Sequence, residues 1–213
     1  MSTAKERILK RLYDAREGRT FTSRVTTEND PSIYVGVNED LVESFRSKLE
    51  PLGGNVYQVD NLEDAATFIA GFVKEEKWDS LFCLDPFLTS ALTEKTEVHS
   101  SPEYFDNMQV GVTPCEFLIA HLGSVMVSSG SYSGRRLHVF PETHIVVAHQ
   151  GQLVTWLDEA LQKIQEKYQD LPSMISNITG PSRTADIEKT LVKGMHGPRR
   201  LVVIICKTPF GNE

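Results

Sequence analysis

The residues best suited to hold a charged ligand are Gly180-Pro181-Ser182-Arg183-Thr184, where a glycine, two hydroxyls and a guanidinium fall within one short turn. Such a turn, if it opens a helix, offers free backbone N–H groups and the positive end of the helix dipole to an anion. The planar fork of Arg183 matches a carboxylate or phosphate in two parallel contacts, which a lysine cannot copy. A salt bridge to Asp186 or Glu188 would occupy the same group equally well. Ser182 and Thr184 serve either as ligand contacts or as helix caps. A second turn, Thr113-Pro114-Cys115-Glu116, has the form of a capping box with proline at the first helical position, and predicts a helix reaching about His121. Glu116 could act there as acid, base or carboxylate nucleophile, while the capping role alone also accounts for it. If the strands before the two turns are parallel neighbours, both helix starts face one crevice. Open α/β sheets bind their ligands at such places, beyond the carboxyl ends of the strands.

The remaining reactive residue types are less organised. The loop Ser128 to Arg136 carries glycines, hydroxyls and two arginines, as a loop closing over an anion would, and equally as an exposed turn would. It lacks the glycine–lysine spacing of a phosphate-binding P-loop. Six histidines show no metal-binding spacing, so no metal site is expected. His144, at the start of an apolar strand, and His196, in the turn Gly194 to Pro198, are the two placed to titrate near neutrality. His196 joins Glu116 as a candidate catalytic group, and a structural hydrogen bond explains either histidine as well. Three cysteines lie far apart in apolar surroundings, which excludes a disulfide framework or a cysteine-bound cluster and points to buried structural thiols. No recognisable cofactor-binding motif is present, GxGxxG included, and the nucleophile elbow GxSxG is missing as well.

The elements that must position these residues alternate between strand and helix. Ser32–Val37, Asn55–Val59, Trp78–Leu84 and Val110–Val112 read as strands. Between them, apolar positions at helical spacing mark a helix through Leu41, Val42, Phe45 and Leu49, capped by Asn38 and ended by Gly53-Gly54. Another runs through Ala65, Phe68, Ile69 and Phe72 and opens at Asp60 or Asn61, and a short one includes Phe87, Leu88, Ala91 and Leu92. Ser124–Ser128, Leu137–Phe140 and Thr143–Ala148 follow as strands, then an amphipathic helix from Leu153 to Ile164. Leu201–Cys206 is apolar on both faces, which suits a central strand covered on each side. This alternation predicts an α/β fold around a mainly parallel sheet. Residues 1–30 form a separate helix and polar loop, with Ala4, Ile8, Leu9, Leu12 and Ala15 on one face, and residues 31–213 form one domain. A formal charge of −7 argues against nucleic-acid binding. No apolar run approaches the ~20 residues of a membrane span, and the charged N-terminus lacks a signal-peptide core, so a cytoplasmic setting is expected.

One run of residues resembles a known family. Gly180 to Glu188, then Leu191-Val192, Gly194, His196-Gly197-Pro198 and an apolar strand, is similar to the C-terminal signature of LUD-domain proteins, the lactate-utilisation proteins of the LutC or YkgG type. Gly123-Ser124 before a strand, Arg136-Leu137, Pro141 and His144 to Val147 carry the likeness upstream, and the helix–Leu52-Gly53-Gly54–strand unit extends it. The resemblance implies a three-layer fold like that of the sugar-isomerase and CoA-transferase group (NagB/RpiA/CoA transferase), with 5-formyltetrahydrofolate cyclo-ligase as a relative. It further implies a subunit of a three-part system oxidising L-lactate to pyruvate, with iron–sulfur clusters on LutA-like and LutB-like partners. A small anionic or phosphate-bearing ligand would then meet Gly180, Ser182, Arg183, Thr184, Thr113, Gly123 and Ser124. Where many members have an acidic residue and a threonine before the Gly-Ser pair, this chain has Ala120-His121-Leu122. The alternatives are a stand-alone nucleotide- or CoA-dependent enzyme of the same fold group and a non-catalytic scaffold for iron–sulfur subunits.

Overall fold

The computed structural model describes residues 4–17, 39–101, 108–184, 192–193 and 197–210. Chain contacts divide it into two units, Met1–Gly36 and Val37–Glu213. The first contains helix α1 (Ala4–Glu17), whose Ile8, Leu9 and Tyr13 are exposed. The expected strand Ser32–Val37 and the expected cap Asn38 lie outside the described residues.

In the second unit, α2 (Leu41–Leu49) is capped by Asp40, whose carboxylate accepts from the N–H groups of Val42 and Glu43 at 3.0 and 3.1 Å. A short 3₁₀ turn then ends at Gly53, whose φ of 92° is the left-handed cap expected of it. Strand β1 (Asn55–Val59) leads to α3 (Leu62–Glu76), which Asn61 caps. Strand β2 (Leu81–Cys83) is shorter than its apolar run, because the Trp78 N–H bonds back to Val73 to close α3. Helix α4 (Pro86–Thr93), capped by Asp85, and β3 (Val98–His99) precede β4 (Val110–Thr113). Further along come β7 (Thr143–His149) and β12 (Arg200–Cys206).

These strands form a six-stranded sheet in the order β1-β12-β7-β4-β2-β3, every pair parallel. Strand β12 lies inside it, and its side chains alternate between two cores. Val202, Ile204 and Cys206 pack with Ile69, Leu88 and Leu92 of α3 and α4. Leu201, Val203 and Ile205 face Phe45 and Leu49 of α2 and a second, smaller sheet. That second sheet is built from β5 (Phe117–Ile119), β6 (Ser124–Ser128), β8 (Leu153–Val154) and β9 (Ile175–Ile178), in the order β8-β5-β6-β9. Helix α5 (Leu157–Lys167) closes its outer face, with Ala160 and Ile164 against Ile119, Met126 and Val154. The parallel sheet is thus the middle layer between α3 and α4 on one side and α2 with the smaller sheet on the other.

Three expectations fail locally. The segment from Thr113 to His121 is no helix: the Glu116 N–H bonds to the Met126 carbonyl at 2.8 Å, and β5 pairs antiparallel with β6. Long-range pairing overrides the local capping pattern there. Leu137–Phe140 is a turn and no strand, since the N–H groups of Val139 and Phe140 both bond to the Arg136 carbonyl. The amphipathic stretch from Leu153 begins as β8, and α5 starts only at Leu157.

Gly123, between β5 and β6, shows how tightly the second sheet meets α2. Its φ is 63°, and a Cβ there would sit 2.6 Å from the Leu49 nitrogen and 2.8 Å from the Lys48 carbonyl carbon. Gly123→Ala is expected to cost about 2 kcal/mol from backbone strain and displacement of α2. A lowered urea midpoint with an unchanged far-ultraviolet spectrum is the expected readout.

Candidate functional site

The Gly180 turn lies at the amino edge of the parallel sheet. A Cβ on Gly180 would sit 3.2 Å from the Leu52 carbonyl oxygen, and the Ser182 N–H donates to the Pro198 carbonyl at 2.8 Å. Leu52 and Pro198 precede β1 and β12, whereas Thr113 to Glu116 leaves the carboxyl end of β4. The two expected ligand turns therefore stand at opposite edges and share no crevice. Nor does the first turn of a helix begin at Arg183-Thr184, because these residues form β10 (Arg183–Thr184), antiparallel to β11 (Val192–Lys193). The helix expected after them and the candidate His196 lie outside the described residues.

At the amino edge, Thr179, Gly180 and Ser182 line a cavity of about 280 Å³ together with Arg135, His138 and Asn177. Among the described residues lining it there is no carboxylate. Arg135 donates to the Ser173 hydroxyl at 2.6 Å and forms no ion pair among the described residues. Ser124 reaches the same region through a 2.6 Å hydrogen bond to Thr179. Arg183 is exposed, and its Nη2 lies 3.7 Å from where a Gly180 Cβ would stand. Thr113 and Gly123 are elsewhere: Thr113 is buried against His144, with Oγ1 2.8 Å from Nε2, and Gly123 packs on α2.

Behind this cavity sits a buried histidine pair, His138 and His144, with ring centroids 5.5 Å apart. Burial pulls the His138 imidazole down to about 4, against opposing contributions from the carbonyls of Ser128 and Gly134 and from the Glu116 charge. Among the described residues neither ring nitrogen of His138 makes a well-formed hydrogen bond. Burial, reinforced by His138, pulls His144 down to about 3. Both rings are neutral at pH 7.

The carboxyl edge holds the larger opening, a crevice of about 530 Å³. Glu116 lies at its wall, buried, and three donors converge on its carboxylate: Ser128 Oγ at 2.5 Å, Tyr168 Oη at 2.8 Å and Lys167 Nζ at 2.8 Å. Partial burial pulls the Lys167 ammonium down, but the hydrogen bond and charge of Glu116 outweigh it, leaving Lys167 above its ordinary value. Tyr168 is pushed up by burial and by the same carboxylate. Close packing supports the arrangement, since a Cβ on Gly130 would meet the Tyr168 ring at 2.8 Å. Gln152 ties the neighbouring backbone, donating to the Cys115 carbonyl at 2.6 Å and accepting from the His149 N–H at 3.0 Å. These three donors engage both oxygens of Glu116 and tie β6 and the end of α5 to the crevice wall. Sequence reasoning found Glu116 but missed Lys167 and Tyr168, which stand 51 and 52 positions away and carry no local signal.

All three cysteines are buried and free. Burial pushes Cys83 and Cys206 up to about 11 and Cys115 higher still, as expected for inert structural thiols. Among the described residues no cluster of metal-binding side chains occurs, and no helix is long and apolar enough to cross a membrane.

The profile of the LUD domain matches residues 42–206, a span that includes every strand of both sheets. The chain belongs to the LUD-domain family. It is similar to proteins named lactate utilization protein C: 31% identical to that of Anoxybacillus flavithermus over 78% of this chain and 70% of the relative. The likeness to the Halalkalibacterium halodurans protein is 28% over 80% of this chain and 74% of the relative. A Geobacillus protein of that name is 35% identical, over 48% of this chain and 44% of its own length, so that match spans less than half of the relative. In fold, this LUD domain resembles the crystal structure of a DUF162 family protein from Deinococcus radiodurans, with a TM-score of 0.56 and 19% identity over 78% of this chain and 96% of the other.

Proposed function

We propose that this LUD-domain protein is a LutC-like subunit of a three-part iron–sulfur system that oxidises L-lactate to pyruvate, and that it holds a small anion in the amino-edge cavity. LutA-like and LutB-like partners would carry the clusters. The role in lactate utilisation is supported by the likeness to lactate utilization protein C over 70% and 74% of two relatives. The anion rests on one observation: the cavity combines Arg135 with hydroxyl and amide side chains and has no carboxylate in its described lining. A carboxylate or phosphate entering it meets the Arg135 charge and the donors of Ser176, Asn177, Thr179 and Ser182 beside apolar walls from Val127, Val139, Met174 and Ile178, and the charged donor suits charge-assisted hydrogen bonding. Gly180 and Ser182 of the donor-rich turn line that cavity, although without a helix dipole.

Calorimetric titration of L-lactate, pyruvate and inorganic phosphate should find at least one that binds the wild-type protein. Arg135→Ala should weaken it about 10-fold or more, the usual loss for one charged hydrogen bond. Deleting the gene should abolish growth on L-lactate, and normal growth would sink the proposed role. Arg135→Ala also separates ligand binding from scaffolding, because full lactate oxidation with anion binding lost would leave only the scaffold.

A further inference from the structure

We propose that the crevice at the carboxyl edge is a second ligand site, which takes a planar, unphosphorylated heteroaromatic ring of nucleobase to isoalloxazine size. The parallel sheet opens there as ligand sites in α/β proteins do: Asp85 follows β2, Pro114 to Glu116 follow β4, His149 ends β7 and Phe210 follows β12. Six rings line the opening, those of Phe87, Phe117, Tyr132, His149, Tyr168 and Phe210. Tyr132 is 67% exposed and Phe87 41% exposed, so large aromatic surface is held in water at the mouth. Exposed apolar surface concentrated at a cavity marks a binding place more often than a bare surface does. The volume of about 530 Å³ lies in the usual ligand range of roughly 300–1,000 Å³.

Charge decides what kind of ring enters. Among the described lining residues, the carboxyl groups of Asp85 and Glu116 stand against one ammonium, Lys167, which is already bound to Glu116. A phosphate would meet two like charges and, among the described lining residues, no cation outside the Glu116–Lys167 pair, whereas a neutral ring meets none of that repulsion. Lys167 has three N–H donors and gives one to Glu116, so donor capacity remains for a ring carbonyl or ring nitrogen. Aromatic faces then supply stacking, which tolerates different ring systems. The cavity at the opposite edge has the reverse character, with Arg135 and no carboxylate in its described lining. One molecule can therefore hold an anion at one edge and a ring at the other without competition.

The test uses the full chain and two probes, riboflavin followed by quenching of its own fluorescence and adenosine followed by calorimetry. At least one should bind saturably, and flavin mononucleotide should bind more weakly than riboflavin because its phosphate meets Asp85 and Glu116. Tyr132→Ala, a change at an exposed ring, should weaken the bound probe about 3- to 10-fold, the loss of one stacking partner. Arg135→Ala should leave it unchanged, which keeps this site separable from the anion cavity. Absence of binding by riboflavin up to its solubility limit and by adenosine at millimolar concentration would overturn the proposal. So would tighter binding of flavin mononucleotide than of riboflavin, or full affinity in Tyr132→Ala.

Discussion

Lowering the pH from 7 to 5 is expected to remove about 4 kcal/mol of folding stability through two buried histidines alone. His138 and His144 have folded values near 4 and 3, set by burial, against the ordinary value of 6.5. Below pH 6.5 the unfolded chain takes up protons at both rings and the folded chain does not. Stability from this source is therefore intact above pH 6.5 and falls as pH drops toward 4. The slope should be about 1.4 kcal/mol per pH unit for each ring. His138 is the informative position, because among the described residues its ring nitrogens make no well-formed hydrogen bond and a leucine there sacrifices little bonding. His138→Leu should halve the acid slope while changing stability at pH 7 far less. Urea titrations at pH 7, 6 and 5 measure this directly, and a wild-type curve flat across that range would show that the folded protein protonates these rings freely.

The same pair illustrates what sequence can and cannot disclose. Leu201–Cys206 and Thr143–Ala148 were legible as buried strands because a strand covered on both faces must be apolar throughout, and no local rival structure fits such a run. Asn61, Asp85 and the glycine at position 53 punctuate their helices through side-chain and backbone geometry that acts within a few residues, so they too can be seen locally. His144 could be placed at the head of its strand, but nothing local announced that Leu137 to Phe140 folds as a turn and brings His138 to within 5.5 Å of its ring.

Glu116 is the clearest case of a local signal with a different global meaning. Thr-Pro-Cys-Glu satisfies the sequence rule for a helix start, yet the backbone continues into β5 because Val125 and Met126 offer it a partner strand. The glutamate side chain then turns to donors on β6 and at the end of α5. Likewise the donor-bearing residue types of the Gly180 turn are visible in the sequence, but its edge of the sheet follows from contacts with Leu52 and Pro198, far away in sequence. Residue chemistry was visible, and only topology could assign it to one edge or the other.

Replacing Lys167 by methionine is expected to destabilise the protein by about 3 kcal/mol, more than Glu116→Gln does. The reason is an asymmetry in burial: the Glu116 side chain is 2% exposed and that of Lys167 53% exposed. Removing the lysine leaves a buried carboxylate with only the Ser128 and Tyr168 hydroxyls, an uncompensated charge of the kind that costs about 3–5 kcal/mol when fully enclosed. The lower end applies because solvent reaches the lysine side of the pair. Glu116→Gln removes the charge itself, lets Lys167 turn to water and retains an acceptor for one hydroxyl, so a cost of about 1–2 kcal/mol is expected. The alkaline limb gives an independent check. Lys167 and Tyr168 are both raised in the folded state, so the stability they contribute is present below pH 10 and is lost as pH rises through their folded values. Lys167→Met should flatten that loss, since one of the two groups no longer titrates. Equal costs for the two substitutions, or an unaltered alkaline limb in Lys167→Met, would mean that the pair behaves as an ordinary surface ion pair and that Glu116 is held chiefly by its two hydroxyl donors.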